Sequence, residues 1–292
     1  MDFETYQTEA KKTQQLYKDD ETINEVIPFL GIVGETGSVV AELKKRIRDG
    51  ENYSGFNSQL EEELGDVLWY VANLASNYQL TLDNIAEKNL KKIRERWLEE
   101  DLDSYKILDE EYPEEEQFPR EFEVRFFEYE ESGKVKIRLE YNGKQIGDPI
   151  TDNAHENDGY RYHDIFHFGY VAFLGWSPVL RKLMKIKRKS EDIIDEVEDG
   201  ARAAIVEELV SLFVYSHAQN HQLFKYTDRV DSEILRDIQR LVSKIEVKDC
   251  TTRQWETAII QSYRVLDELQ KNKGGRVLVS IKNKKLLYLG KN

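Results

Sequence analysis

The spacing of apolar residues changes three times along this chain of 292 residues, and these changes limit the folds that it can adopt. Helical spacing covers residues 2–99 and returns over 159–271, whereas the alternation typical of β-strands covers 122–150 and 276–289. The helical parts are by far the longer. We therefore predict a mainly α protein, in which a small antiparallel β meander and hairpin lie between or beside two helical domains.

The first helical part divides into four predicted helices with short, polar connections. Their predicted bounds are 2–18, 21–48, 59–77 and 82–99. In the β part, Ser132-Gly133 and Asn142-Gly143 are typical of tight hairpin turns, and Lys282-Asn283 is the predicted turn of the terminal hairpin. The terminal hairpin could pair with the meander in one sheet, but the sequence leaves that pairing open.

A strongly acidic segment with Pro113 and Pro119 separates the two helical parts. Runs of like charge are usually solvated, so we interpret this segment as a linker or a solvated lid. The predicted organisation is a helical domain over 1–100, an acidic linker over 101–121 and a C-terminal α+β domain over 122–292.

Composition excludes several functional classes. A formal net charge of −14 argues against an extended nucleic-acid interface, which needs a positive surface. The single Cys250 excludes a disulfide framework and is typical of a reducing compartment. The acidic start lacks the apolar core of a signal peptide, and no apolar run approaches the length of about 20 residues that spans a bilayer. We expect a cytoplasmic protein with no membrane partner.

Two acidic stretches, Gly34–Ser38 and Glu62–Tyr70, lie in predicted helices beside apolar residues. Residues three or four apart are neighbours on a helix, so Glu63 and Asp66 project side by side. Two such carboxylates repel each other unless a cation lies between them, and Mg²⁺ prefers oxygen ligands of this kind. The stretches therefore predict a metal site built from helical carboxylates, of the type that mostly handles phosphates.

These stretches resemble the MazG-like nucleoside triphosphate pyrophosphohydrolases. Segment 32–49 is similar to the first metal helix of that family, segment 62–70 to the second, and segment 82–97 to the closing helix. The resemblance implies hydrolysis of an NTP or dNTP to its monophosphate and pyrophosphate with Mg²⁺, or alternatively Mn²⁺. It assigns catalysis and metal binding to Glu35, Glu63 and Asp66.

The resemblance also implies further site residues and a partner. Glu62 is a reserve metal ligand, and the closing helix would bring Asn89, Lys92 and Arg96 to the substrate. MazG-like domains complete their helical core by dimerising, so we expect a homodimer or higher homo-oligomer. The alternative is that the C-terminal helices serve as an internal partner. For each charged residue, a solvated helix face is the competing interpretation.

Ser38 departs from the family pattern, which has a second glutamate at this position. A neutral hydroxyl is a weaker metal ligand than a carboxylate, so one metal position should bind less tightly or be lost. Glu42 lies seven residues from Glu35, about 10 Å along a helix, and so cannot simply replace Ser38. The departure supports an alternative function, in which the chain senses a nucleotide without cleaving it.

The C-terminal half contains a second candidate metal site. It consists of His163, Asp164, His167 and Glu208, whose imidazole and carboxylate groups suit Zn²⁺, Mn²⁺ or Fe. The segment around these residues resembles a C-terminal domain found on some MazG-like proteins, which implies no particular activity. A third functional hypothesis places the active site here. In the competing interpretation, the histidines only cap helices and form hydrogen bonds within an aromatic core.

Overall fold

The computed structural model of the chain describes residues 1–15, 21–97 and 106–291, with the backbone alone at 95 and 96. Within these ranges the chain forms ten α-helices and five strands, which confirms the predicted mainly α fold with a small sheet. The chain divides into two compact units, Met1–Arg94 and Glu95–Asn292.

The N-terminal unit contains the four predicted helices. Their bounds are Phe3–Lys12 (α1), Glu21–Asp49 (α2), Phe56–Asn77 (α3) and Leu82–Trp97 (α4), the last of which continues past Arg94. Helices α1 and α2 both pack on α3. The approach of α2 to α3 depends on Gly31, because a Cβ atom there would lie 2.2 Å from Cε1 of Tyr70. The two helices that carry the acidic stretches are therefore held close together.

The hydrophobic core of the N-terminal unit is very small. Its described buried apolar residues are Ala10, Ala72, Ala75 and Leu82. Helix α2 instead exposes much of its apolar surface, including Leu30, Val33 and Ile47. This unit cannot be stabilised mainly by burial of its own apolar surface, because so little of that surface is removed from water.

Helix α2 corrects the expectation that no segment is long and apolar enough to cross a membrane. The helical segment Glu21–Asn52, which includes α2, meets that test by length and composition. Its most apolar window has a mean hydropathy of 1.5, and 11% of that window is buried. A single such helix is weak evidence for a membrane span, because an amphipathic helix that packs on a partner meets the same criterion.

The C-terminal unit contains a five-stranded antiparallel sheet in the order β3-β2-β1-β4-β5. Its strands are Glu121–Glu131 (β1), Lys134–Tyr141 (β2), Lys144–Ile150 (β3), Gly274–Ser280 (β4) and Lys285–Gly290 (β5). The terminal hairpin joins the meander through β1 and β4, where Val124 lies opposite Val277. The pairing that the sequence left open is thus a single sheet. The last hairpin turns over 281–284, a wider turn than the predicted Lys282-Asn283.

Six helices complete the C-terminal unit. They are Asp164–Leu174 (α5), Pro178–Met184 (α6), Asp192–Val197 (α7), Ala201–Gln219 (α8), Ser232–Leu241 (α9) and Thr252–Asn272 (α10). Every residue of α5 is buried, and this helix packs on α10, β4 and β5. Gly169 permits that packing, because a Cβ atom there would lie 1.8 Å from Oγ of Ser262 on α10. Helix α5 is therefore fixed at the centre of a large core.

The predicted acidic linker (101–121) is wrong where the structure describes it, from residue 106 onwards. Asp109 and Phe118 are each only 1% exposed. One oxygen of Asp109 accepts hydrogen bonds from the backbone N–H of Phe118 and from Arg181 Nη2, both at 2.8 Å. Through these two residues the segment joins the C-terminal core, where Arg181 neutralises the buried charge of Asp109. The part of the predicted linker at 101–105 lies outside the described residues.

Two arginines of the basic segment 181–189, Arg181 and Arg188, are also buried. Arg188 donates to Asp199 Oδ1 at 2.6 Å and to Glu246 Oε1 at 2.7 Å. Arg181 is 1% exposed and pairs with Asp109. These groups form a buried ionic network within the C-terminal unit.

Candidate metal sites

The first candidate site brings together Glu35 from α2 with Glu63 and Asp66 from α3. One carboxylate oxygen from each of these residues lies within 4.8 Å of the other two. Glu35 and Glu63 are half-buried, and Asp66 is exposed. The geometry follows from the helical spacing of Glu63 and Asp66 and from the close packing of α2 on α3 at Gly31. The structure therefore places the three predicted carboxylates around one small volume.

The electrostatics of this group favour a bound cation. Partial burial raises the pKa of Glu63, and the charges of Glu35, Glu42 and Asp66 raise it further. Both effects disfavour the charged form of Glu63, and a bound metal ion would offset them by neutralising part of the negative charge. The donor atoms are all carboxylate oxygens, which fit the preference of Mg²⁺ for oxygen ligands.

Glu42 lies near this group but is engaged elsewhere. It is 3% exposed and accepts hydrogen bonds from Lys45 Nζ and the Tyr53 hydroxyl. These hydrogen bonds lower its pKa, so the carboxylate is ionised at neutral pH. Glu42 is therefore not available to replace the missing carboxylate at Ser38. The spacing of three residues between Glu42 and Lys45 is the sequence signal for this pair.

Three further predicted residues with described side chains lie outside the carboxylate group. Glu62 is exposed and accepts a hydrogen bond from Gln59 Nε2 at 3.4 Å, and its role as a reserve ligand stays a prediction. Asn89 and Lys92 are exposed on α4. The side chain of Arg96 lies outside the described residues. Substrate binding by Asn89, Lys92 and Arg96 stays a prediction.

The second candidate site lies in the C-terminal unit, where α5 meets α8. One ligand atom each from His163, His167 and Glu208 lies within 4.8 Å of the other two. Asp164 joins them, with its Oδ1 atom 3.7 Å from His163 Nε2 and 3.8 Å from His167 Nε2. The structure therefore brings together all four residues predicted for this site.

Hydrogen bonds fix both imidazole rings of this site through their Nδ1 atoms. His167 Nδ1 lies 2.7 Å from Glu207 Oε1, and His163 Nδ1 lies 3.0 Å from the carbonyl oxygen of Tyr160. The His163 ring also stacks on Tyr160, with centroids 4.4 Å apart. Since carbonyl and carboxylate oxygens only accept hydrogen bonds, Nδ1 carries the proton in both rings. Both Nε2 atoms therefore face the centre of the site.

Glu207 also belongs to this site, although the prediction from the sequence included only its neighbour Glu208. It is completely buried, and it also accepts hydrogen bonds from Ser177 Oγ at 2.5 Å and the backbone N–H of Val179 at 2.9 Å. Burial alone would lower the pKa of His167, but the charges and hydrogen bonds of Glu207 and Glu208 together outweigh it and raise that pKa. The only signal in the sequence was its position next to Glu208.

A third group consists of His217, His221 and Asp231. The two imidazole rings stack with centroids 4.3 Å apart, and His217 Nε2 lies 3.2 Å from Asp231 Oδ2. Asp231 and His221 are exposed. Burial and the neighbouring His221 lower the pKa of His217, so ionic attraction to Asp231 contributes little at this surface position.

Comparisons with known proteins agree with this division into two parts. Residues 28–98 match the MazG nucleotide pyrophosphohydrolase domain, and residues 103–292, more than half of the chain, match the MazG C-terminal domain. The Gene 37 protein of Mycobacterium phage L5 is 38% identical over 69 residues, which are 23% of this chain and 60% of that relative. No solved structure matches the chain significantly. The chain belongs to the MazG family, as a MazG nucleotide pyrophosphohydrolase domain followed by a MazG C-terminal domain.

Proposed function

We propose that the N-terminal domain, residues 1–100, hydrolyses a nucleoside triphosphate to its monophosphate and pyrophosphate in a reaction that needs Mg²⁺ or Mn²⁺. The observation that supports this proposal is that three carboxylates from α2 and α3 lie close together in a domain that matches the MazG nucleotide pyrophosphohydrolase domain. The substrate is an NTP or a dNTP.

Glu35, Glu63 and Asp66 would hold the metal ion through their carboxylate oxygens. A bound Mg²⁺ ion supplies charge neutralisation for the polyphosphate and for the leaving pyrophosphate. A carboxylate oxygen of this group that does not contact the ion would orient or deprotonate the attacking water. Asn89, Lys92 and Arg96 would contact the substrate, since basic side chains form strong hydrogen bonds with phosphate.

Ser38 supports a second candidate function. With three carboxylates in the group instead of the four of the family pattern, the site would hold a nucleotide with fewer metal ligands. A nucleotide sensor that passes its signal to the C-terminal domain would then retain binding and lack turnover. Product analysis distinguishes this function from hydrolysis, because a sensor forms neither monophosphate nor pyrophosphate.

The N-terminal domain is also proposed to form a homodimer. Val33, Val40, Leu43 and Ile47 of α2 are each at least half exposed, while the domain buries only four described apolar side chains. A second copy of the domain would cover these residues and extend the small core. We place the protein in the cytoplasm, where its single Cys250 would remain reduced.

The test is product analysis after incubation of the full chain with separate NTPs and dNTPs in Mg²⁺ or Mn²⁺. Glu63→Gln should lower the rate of formation of monophosphate and pyrophosphate at least about 100-fold, because it removes one charged ligand. The matched control is Glu61→Gln, an exposed residue of the same helix outside the carboxylate group. It should retain wild-type activity.

Two outcomes would overturn hydrolysis at this site. Equal activity of wild type and Glu63→Gln would place the reaction elsewhere, and loss of the products on His163→Ala alone would place it in the C-terminal domain. If the chain binds nucleotides but forms no product, the proposed function would be nucleotide sensing and not hydrolysis.

A further inference from the structure

We propose that the C-terminal unit binds a divalent transition-metal ion at a site separate from the carboxylate group of the N-terminal domain. The ligands are His163 Nε2, His167 Nε2, Asp164 Oδ1 and one carboxylate oxygen of Glu208. This site is independent of the proposed hydrolysis, because its residues lie in a different compact unit.

Ligand atoms of His163, His167 and Glu208 all lie within 4.8 Å of one another, and Asp164 lies beside the two histidines at the edge of this group. His167 Nε2 lies 3.6 Å from Glu208 Oε1, and His163 Nε2 lies 4.0 Å from Glu208 Oε2. The distances from the two Nε2 atoms to Asp164 Oδ1 are 3.7 and 3.8 Å. Ligands about 2.1 Å from a tetrahedral ion are about 3.4 Å apart, so each of these four histidine–carboxylate pairs would close by up to about half an ångström around an ion.

The same distances are too long for hydrogen bonds. A bond between an imidazole nitrogen and a carboxylate oxygen has a length of about 2.7–3.2 Å, and all four separations exceed this range. His167 Nε2 is buried and has no hydrogen-bond partner among the described residues, although its ring is fully enclosed. A buried polar atom of this kind is costly without a partner, and a metal ion at the centre of the site would supply one.

The surroundings of the rings resemble a second coordination shell. Metal-binding histidines typically donate their other ring N–H to a carboxylate or a backbone carbonyl, which fixes the tautomer and the ring orientation. His167 does so to Glu207, which is itself held by Ser177 and Val179, and His163 does so to the carbonyl oxygen of Tyr160. This support sets the site apart from His217 and His221 on the surface.

The donor set indicates which metals would bind. Two imidazoles with two carboxylates suit Zn²⁺, Mn²⁺ or Fe²⁺, and Zn²⁺ binds more tightly than Mn²⁺ at a given site of this type. Mg²⁺ prefers oxygen ligands and should bind weakly. The side chain of Glu208 is 46% exposed, so the ion can enter from solvent beside this residue. The chain would thus hold chemically different metals in its two units.

The experiment is a calorimetric titration of the chelator-treated full chain with Zn²⁺, Mn²⁺ and Mg²⁺. The partly exposed ligands are changed in Glu208→Gln and His163→Gln, with folding checked by circular dichroism. Controls are Glu233→Gln and His155→Gln, which change exposed residues outside the site. His221→Ala reports Zn²⁺ captured by the surface histidines, and Glu63→Gln reports binding at the carboxylate group.

We expect one Zn²⁺ site whose affinity falls at least about tenfold in Glu208→Gln and in His163→Gln and is unchanged in the controls. Visible absorption of bound Co²⁺ should report imidazole and carboxylate ligation in wild type and change in both variants. Zn²⁺ binding that is absent from the wild type, or lost only in His221→Ala or in Glu63→Gln, would overturn the proposal. Because the readout is metal binding, its failure leaves the test of hydrolysis unaffected.

Discussion

The two units of this chain differ most in how much apolar surface they bury. The C-terminal unit has a continuous core in which α5 is completely enclosed, whereas the described core of the N-terminal unit consists of Ala10, Ala72, Ala75 and Leu82. The C-terminal unit also contains charged groups in its interior, among them Arg181 and Arg188. One unit therefore has a large core of its own, and the other leaves much of the apolar surface of α2 exposed.

The candidate sites differ in the same way. The carboxylates of the N-terminal domain lie on two helices at a partly exposed surface, where a large anionic substrate can reach them. The histidines of the C-terminal unit are anchored by buried hydrogen bonds to Glu207 and to the carbonyl oxygen of Tyr160. The first arrangement suits an ion shared with a substrate. The second suits an ion held mainly by the protein.

The largest expected effect concerns the interior of the C-terminal unit. Arg188→Ala should lower its free energy of unfolding by about 3–5 kcal/mol, because Asp199 and Glu246 lose their buried partner. Arg240→Ala, whose side chain is 77% exposed, should change it by less than about 0.5 kcal/mol. Urea unfolding followed by circular dichroism measures both. Equal effects would show that the interior ion pairs do not stabilise this unit.

The next prediction concerns association of the N-terminal domain. Val33→Glu should weaken self-association at least about tenfold, because it places a charge on the most apolar exposed face of α2. Sedimentation velocity over a range of protein concentrations measures this change. Leu287→Glu, on the exposed side of the C-terminal sheet, is the control. A wild-type chain that is monomeric at all concentrations would favour an internal partner over a second copy.

A third prediction tests the departure at Ser38. Ser38→Glu should raise the apparent Mg²⁺ affinity of the N-terminal site about tenfold, because it restores a carboxylate to the family pattern. Thr36→Glu adds the same charge to an exposed position of the same helix and should have little effect. The measurement is the Mg²⁺ dependence of turnover or of nucleotide binding. An equal response in both variants would indicate a general electrostatic effect.

The smallest effect is expected at Glu62. Glu62→Gln should change turnover less than about twofold, because its carboxylate lies outside the group and is exposed. Steady-state rates at saturating Mg²⁺ measure the change. A loss as large as that of Glu63→Gln would return Glu62 to the set of metal ligands.

Local features of the fold could be predicted because they depend on neighbouring residues. Asn142 and Gly143 both have positive φ angles, of 50° and 71°, as the predicted tight turn requires. The carboxylate group followed from helical spacing and from the resemblance of two short motifs. By contrast, Asp109 and Arg181 are 72 residues apart, and no local pattern shows that two such charges are buried together. From the sequence alone, the acidic segment therefore predicts a linker.

The same limit applies to the second site. His163, Asp164 and His167 lie within one turn of α5, so the sequence could group them. The choice between Glu207 and Glu208 depends on how α8 is rotated against α5, which tertiary packing decides. In the structure Glu207 points inward and orients His167, while Glu208 faces the centre of the site.

The most direct test of the proposed hydrolysis is the position of the oxygen from water in the products. The wild-type chain is incubated in H₂¹⁸O with Mg²⁺ and a nucleoside triphosphate that it cleaves, and both products are analysed by mass spectrometry. Hydrolysis between the α- and β-phosphates predicts label in the monophosphate if water attacks the α-phosphorus, and in the pyrophosphate if water attacks the β-phosphorus. Label in inorganic phosphate with a nucleoside diphosphate as the other product, or no cleavage of any nucleotide, would contradict the account.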